Sequence, residues 1–227
     1  MANPISIDIW SDIACPWCYI GKRRLETALS RLAETPEAPE VQVRWHSFQL
    51  NPDAPVDFDG GQTDYLARHL GASPDQARQM QAQVTGIAAR EGLDYHMDDV
   101  KITNTAKAHE LIHFAESHGK GAEMKERLLR AYFTEGRHLG QPAELAALAA
   151  EIGLDAAAAE AALASGEFAA AVAEDKAQAA AYGIGGVPFF VIGGKYGLSG
   201  AQEPDLFLQA LQKVGAEQAE VDRSTGR

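Results

Sequence analysis

The chain of 227 residues has only two cysteines, and they stand together in Cys15-Pro16-Trp17-Cys18. Their placement constrains the fold more than their number does. Upstream, Ile5, Ile7 and Ile9 alternate with Ser6, Asp8 and Trp10, a period of two built on β-branched residues that predicts a strand. Downstream, Leu25, Ala28, Leu29 and Leu32 recur at i, i+3, i+4 and i+7, the apolar face of a helix. Pro16 suits the first turn of that helix, where its missing N–H would be unpaired anyway. The pair therefore falls at a strand-to-helix junction, close enough for the sulfurs to bond. The upstream sulfur lies at the helix N-terminus, where free N–H groups and the helix dipole favour negative charge. Cys15 is expected to be exposed and rich in thiolate, and Cys18 to sit a turn deeper. Cys15 would attack or be attacked, and Cys18 would resolve the mixed disulfide. A zinc site would need two more good ligands, and there is no second cysteine pair to supply them.

After the first helix, Val41, Val43 and Trp45 alternate with Gln42, Arg44 and His46, which predicts a second buried strand and a βαβ unit. Residues 51–63 read as loop. The chain is then helical, with breaks near Gly71–Pro74, Glu91–Asp99, His118–Gly121, Gly136–Pro142, Gly153 and Ser165–Gly166. Alanine is dense from Pro142 to Ala181 and permits close helix packing. A helix over about Glu167–Tyr182 stops at Gly183. Phe189–Ile192, Gly193-Gly194 and Lys195–Leu198 read as a β-hairpin. Pro204 opens a last helix carrying Phe207, Leu208, Leu211 and Val214. Removing the helical block leaves β-α-β followed by α-β-β-α, the order of the thioredoxin-like α/β fold with a mixed four-stranded sheet. The expected organisation is a discontinuous thioredoxin-like domain over 1–60 and 167–214, an inserted all-helical domain over 61–166, and a flexible tail over 215–227.

Other motifs were weighed against plainer roles. Val187-Pro188 precedes an apolar strand, and a proline there can simply start the strand without donating a ladder hydrogen bond. Alternatively it forms a cis peptide bond facing the cysteines and offers Val187 backbone groups to an extended substrate. His109-Glu110-Leu111-Ile112-His113 matches the zinc-protease pattern H-E-x-x-H. Yet Ala108, Leu111, Ile112 and Ala115 make the apolar stripe of a packed helix, and the extended third-histidine pattern is absent, so no metal is expected. Asp12 is a candidate proton shuttle for Cys18, with capping of the turn as its plainer role. His46, His69, His96, His118 and His138 read as surface or satisfied residues.

A net charge of −12 disfavours nucleic acid and anionic membranes as partners. No apolar run is long enough to span a bilayer. Residues 1–4 show no basic or apolar leader, which reads as cytoplasmic. No seam that would set an oligomeric state is evident.

The motifs together resemble the DsbA-like thioredoxin superfamily, and within it the FrnE-like branch. The stretches that carry the resemblance are Asp8–Gly21, Trp45–Pro52, Asn104–Glu116 with Ala131-Tyr132-Phe133, and Gly186–Gln202. It implies a thiol–disulfide oxidoreductase or isomerase acting on protein substrates. It carries the catalytic pair onto Cys15 and Cys18, and the cis-proline loop onto Val187 and Pro188. Pro16, Trp17, Val187 and Pro188 are then expected to contact substrate. No cofactor is expected, with glutathione or a thioredoxin-type protein as redox partner. Trp17 stands where oxidising periplasmic relatives place histidine, so a strongly oxidising potential is not implied. Cousins of this architecture resemble glutathione-dependent isomerases of aromatic compounds and kappa-type glutathione transferases, which use serine at the position of Cys15.

Overall fold

In a computed structural model, which describes residues 4–36 and 38–225, the first strand β1 (Ile5–Ser11) is the inner rail of the protein. Ile5, Ile7 and Ile9 are fully buried on one of its faces, while Asp8 and Trp10 point to the other. Helix α1 (Pro16–Ala33) returns the chain to β2 (Val41–Ser47), which pairs parallel to β1. After the helical block, β3 (Phe189–Ile192) pairs antiparallel to the other side of β1, and β4 (Tyr196–Ser199) pairs antiparallel to β3. The sheet order is β2-β1-β3-β4, so Ile9 lies between Trp45 and Phe190. This is the thioredoxin-like arrangement expected from the element order. One detail differs: β2 is an edge strand with alternate residues exposed, because no further strand covers its outer side.

The inserted block comprises α2 (Gln62–Leu70), α3 (Pro74–Arg90), α4 (Ala106–Glu116), α5 (Gly121–Phe133), α6 (Pro142–Glu151) and α7 (Ala156–Ser165), with α8 (Ala169–Ala181) leading back to the sheet. The expected breaks fall between these helices. Gly166 and Gly183, just beyond α7 and α8, have φ of +68° and +70°, conformations that only glycine takes at little cost. Among the described residues no single helix is long and apolar enough to cross a membrane. Helices α7 and α8 have the length only as a pair, bent by 66°.

Two large apolar cores and a small third cluster of Trp10, Ala179 and Ile184 result. One large core joins the isoleucine face of β1 to Leu25, Ala28 and Leu32 of α1 and to Phe207, Leu211 and Val214 of the last helix. The other fills the helical block and takes in Ile13 from the turn before α1 and Tyr19 and Ile20 from its beginning. The first turn of α1 is thereby embedded in the insertion.

The last helix, α9, runs over Pro204–Thr225. This corrects the expected flexible tail from 215, of which 226–227 lie outside the described residues, as do 1–3 and 37. The polar stretch stays helical because Glu217 is held by the hairpin. Tyr196 Oη donates to it at 2.5 Å and Lys195 Nζ at 2.7 Å.

A polar clamp fastens the insertion side to the open face of the sheet. Asp175 of α8 accepts from the Ser47 amide at 2.7 Å, from His46 Nδ1 at 2.7 Å and from His113 Nε2 at 3.0 Å. His46 Nε2 also donates to Asp8 at 3.0 Å, and its ring stacks on Trp10 with centroids 4.5 Å apart. Burial alone would raise the Asp175 carboxyl, but His113, His46 and the Ser47 amide hold it well below the usual carboxylate range. Burial alone would lower His46, but Asp175 and Asp8 outweigh it and raise the imidazolium above its usual range.

The signs give the pH window. The Asp175 contribution is complete above the unfolded carboxylate value, near 3.9, and is lost as pH falls further toward its depressed folded value. The His46 contribution is complete below the unfolded imidazole value, near 6.5, and is lost as pH rises through its raised folded value. The clamp should therefore stabilise most between about pH 4 and 6.5. Asp175→Ala should cost roughly 2–4 kcal/mol in that window, read as a shift of the urea midpoint, because it leaves His46 and the Ser47 amide short of a partner.

Candidate active site

At the end of β1 the chain turns through Asp12, Ile13 and Ala14, and Cys15 becomes the N-cap of α1 with φ −92° and ψ 111°. Pro16 occupies the first turn as expected, and the Cys18 amide donates to the Cys15 carbonyl at 3.0 Å. Both cysteines are free thiols. The Val187–Pro188 bond is cis, and the Cys15 thiol donates to the Val187 carbonyl oxygen at 3.5 Å. The structure thus brings Cys15, Pro16, Trp17, Cys18, Val187 and Pro188 to one place, across about 170 residues of chain. Gly21 makes the approach possible. A Cβ there would stand 3.1 Å from Pro188 Cγ and 3.3 Å from Phe190 Cζ.

The expectation that Cys15 is exposed and thiolate-rich is not met. Cys15 is only 3% exposed and Cys18 1%, because the helical block roofs the junction. The hydrogen bond with Cys18, then burial, push the Cys15 thiol well above its usual range. Burial would also raise Cys18, but the Cys15 thiol, the Lys125 ammonium and the Ser11 hydroxyl more than reverse this and bring it below the usual range. Loss of a proton from one sulfur makes loss from the other harder, and the Lys125 ammonium and the Ser11 hydroxyl favour the charge at Cys18.

Asp12 is buried beside the cysteines. Its Oδ2 accepts from the Leu50 amide at 2.8 Å, and its Oδ1 from His109 Nε2 at 3.2 Å and the Ala14 amide at 3.4 Å. Burial would raise its carboxyl, but His109 and the Leu50 amide outweigh it and hold the group below its usual range. The capping role is visible in these bonds, and a shuttle would have to work from a carboxylate that holds a proton weakly. Burial lowers His109, which faces Asp12, whereas His113 faces Asp175. The two histidines of the H-E-x-x-H segment do not converge. Among the described residues no group of three His, Cys, Asp or Glu is placed to hold a metal ion.

Sequence reasoning missed Lys125. It is 1% exposed, donates to the Ser11 carbonyl at 3.3 Å, and lies 5.5 Å from the centre of the Trp45 ring. Burial pushes its ammonium down to about 8, opposed by the charges of Cys18, Asp12 and Cys15. A signal was present: Lys125 shares its helix face with Leu128, Leu129 and Tyr132, where an apolar residue belongs.

A cavity of about 440 Å³ opens beside the pair, between the turn that carries Cys15, the loop after β2 and the insertion. Cys15 lines it and Cys18 does not. Its walls include Leu66, Val84, Met97 and Ile102, and Asp12, Thr105 and Tyr132 also face it. Trp17, Leu50, Leu70 and Met80 line it while remaining between 39% and 51% exposed, which makes an apolar rim. Among the described residues no lysine or arginine lines it.

A cysteine pair at a strand-to-helix junction, beside a cis-proline loop and under a helical roof, defines a thiol–disulfide protein of thioredoxin-like fold. Comparison with known proteins agrees. Residues 6–212 match the family model for the DSBA-like thioredoxin domain. The crystal structure of a probable DsbA oxidoreductase, SCO1869 from Streptomyces coelicolor, is 37% identical with a TM-score of 0.87, over 94% of this chain and 91% of that one. The uncharacterized protein YwbO of Bacillus subtilis (strain 168) is 28% identical over 91% of this chain and 96% of its own. A 2-hydroxychromene-2-carboxylate isomerase, 16% identical, shares the fold with a TM-score of 0.72 over 95% of this chain and 98% of that one. The chain belongs to the DSBA-like thioredoxin family, a family of thiol–disulfide oxidoreductases.

The close approach at Gly21 has a measurable consequence. Gly21→Val should lower stability by about 1–3 kcal/mol through overpacking against Pro188 and Phe190. The check is the urea midpoint, with m unchanged.

Proposed function

We propose that this protein is a cytoplasmic dithiol oxidoreductase for polypeptide substrates, with Cys15 as the exchanging sulfur and Cys18 as the resolving one. The observation that carries the reading is that Cys15 alone of the pair faces the cavity, within an apolar rim. In the oxidising direction a substrate thiolate attacks Cys15 of the Cys15–Cys18 disulfide. A substrate–Cys15 bond forms, the Cys15–Cys18 bond breaks, and the electron pair leaves on Cys18. A second substrate thiolate then displaces Cys15, leaving the substrate oxidised and the pair reduced. The reducing direction reverses each step. Glutathione or a thioredoxin-type protein supplies or removes the electron pair, and the exchange itself needs no metal or flavin.

Trp17, Leu50, Leu70 and Met80 suit a cysteine flanked by apolar side chains in an unfolded or extended chain. The Val187 carbonyl, which meets the Cys15 thiol, is placed to accept from an extended backbone.

Redox titration in glutathione buffers tests the reading, with Trp17 fluorescence and thiol alkylation as readouts. A reversible internal disulfide is expected. Cys15→Ser should abolish insulin reduction, and survival of turnover would sink the assignment of the nucleophile. Cys18→Ser should accumulate mixed disulfides with a cysteine peptide, and it should do so better when the peptide carries aromatic neighbours. Equal trapping of a polar peptide would count against the apolar rim.

A second reading is glutathione-dependent isomerisation or transfer on small aromatic molecules. The apolar cavity favours it, since its size lies in the range of small-molecule sites and Tyr132 faces it. Against it, among the described residues no lysine or arginine lines the wall to pair with the carboxylates of glutathione. Turnover of a chloro-aromatic acceptor by the Cys18→Ser protein with glutathione would favour this second reading.

A further inference from the structure

We propose that Lys125 is a positioning residue for the resolving sulfur: its ammonium holds Cys18 as the anion of the pair, and its proton follows that charge through the exchange. The inference rests on the dithiol reading above.

Lys125 is almost completely enclosed, and it donates a hydrogen bond to the Ser11 carbonyl at 3.3 Å. Among the described residues it forms no ion pair with a carboxylate within 4.0 Å. An ammonium has three N–H donors, so this one is left short of acceptors. The Ser11 hydroxyl, fully buried at the end of β1, also lacks a hydrogen-bond partner in the ordinary range. Both groups lie close enough to Cys18 to act on its charge. Its charge acts on Lys125 more strongly than that of Asp12 or Cys15, and the Ser11 hydroxyl is among the groups that favour its thiolate. Two under-used buried donor groups around one sulfur mark the place of an acceptor, and a thiolate supplies it.

Burying an ammonium without a paired carboxylate costs several kcal/mol, which a methionine of similar length would avoid. The packed core therefore does not account for this lysine. The titratable groups acting on it are Cys15, Cys18 and Lys22 on α1, Asp12 in the turn, and His109 on α4. Of these, the cysteines change charge during turnover.

The step balances as follows. In the mixed disulfide the Cys18 thiol gives its proton to the Lys125 amine. The thiolate attacks Cys15, the Cys15–Cys18 bond forms, and the bond from Cys15 to the substrate sulfur breaks. The electron pair leaves on the substrate sulfur. Lys125, now without its anion, returns the proton, which ends on that departing thiolate. The net change is one mixed disulfide and one thiol converted to the internal disulfide and a free substrate thiol.

The experiment compares the full-length protein with Lys125→Met and Lys125→Arg. Thiolate absorbance against pH and the equilibrium with glutathione are measured for each. Lys125→Met should give about tenfold less thiolate near neutral pH and favour the disulfide about tenfold, equivalent to a potential lower by about 30 mV. Lys125→Arg should restore most of the thiolate profile, which loss of packing alone would not predict. A folded Lys125→Met protein with an unchanged profile and unchanged equilibrium overturns the proposal. Should that variant not fold, the unsubstituted protein decides by NMR titration of the Lys125 side chain in both redox states. A higher midpoint in the dithiol form is expected, and equal midpoints overturn the proposal. If the unsubstituted protein forms no Cys15–Cys18 disulfide at all, the dithiol reading fails, and this proposal with it.

Discussion

A single buried carboxylate joins the pieces of backbone between which the cysteines sit. Asp12 takes the amide of Ala14 in the turn, the amide of Leu50 beyond β2, and the imidazole of His109 in the insertion. Each bond comes from a different segment. Removing such a charge from water costs several kcal/mol, so it persists only where every lone-pair direction is answered. Because it is answered here, the turn before α1 has one geometry, and the Cys15 N-cap inherits it. Ile13, buried in that turn against the helical core, adds an apolar contact beside the same anchor.

The charges around the pair follow from that anchor. The carboxylate of Asp12 is close enough to oppose a thiolate at Cys15, and it does so in a medium that screens poorly. Lys125 favours the charge at Cys18. The helix N-terminus also favours an anion at Cys15, and this was the argument available from sequence. In the folded protein that effect loses to burial, to Asp12 and to the competing sulfur. The sign of the dipole argument was sound. Its magnitude, a fraction of a kcal/mol to about two, was too small beside a fully desolvated neighbour.

Local patterns carried most of the fold and half of the site. The strand of isoleucines, the cysteine pair at its end, the helix breaks and the Val187-Pro188 loop were each written in adjacent residues, and each appears where the pattern put it. What escaped depended on distant packing. Nothing near Cys15 in the sequence announces that α2 and α3 will roof it. The stretch beyond Val214 looked polar enough to fray, and it stays helical because Tyr196 and Lys195 hold Glu217. Lys125 belongs between these cases. Its position on an apolar stripe was legible, but an isolated lysine on such a stripe more often lifts its ammonium to the surface than buries it.

The insertion does more than cover the site. It supplies His109 to Asp12, Lys125 to the neighbourhood of Cys18, and much of the cavity wall. A thioredoxin-like sheet alone would present the same cysteines to water, where the thiolate would be governed by the helix terminus and by solvent. Here the reacting pair is enclosed and its charge is set by side chains from the added domain. Any motion of the insertion against the sheet would then change substrate access and the acidity of the pair together. The Asp175 clamp is one contact that resists such motion, because it binds α8 and α4 to the exit of β2. Shape and reactivity at Cys15 are thus held by the same few buried polar groups, which ties the substrates the site admits to the chemistry it performs on them.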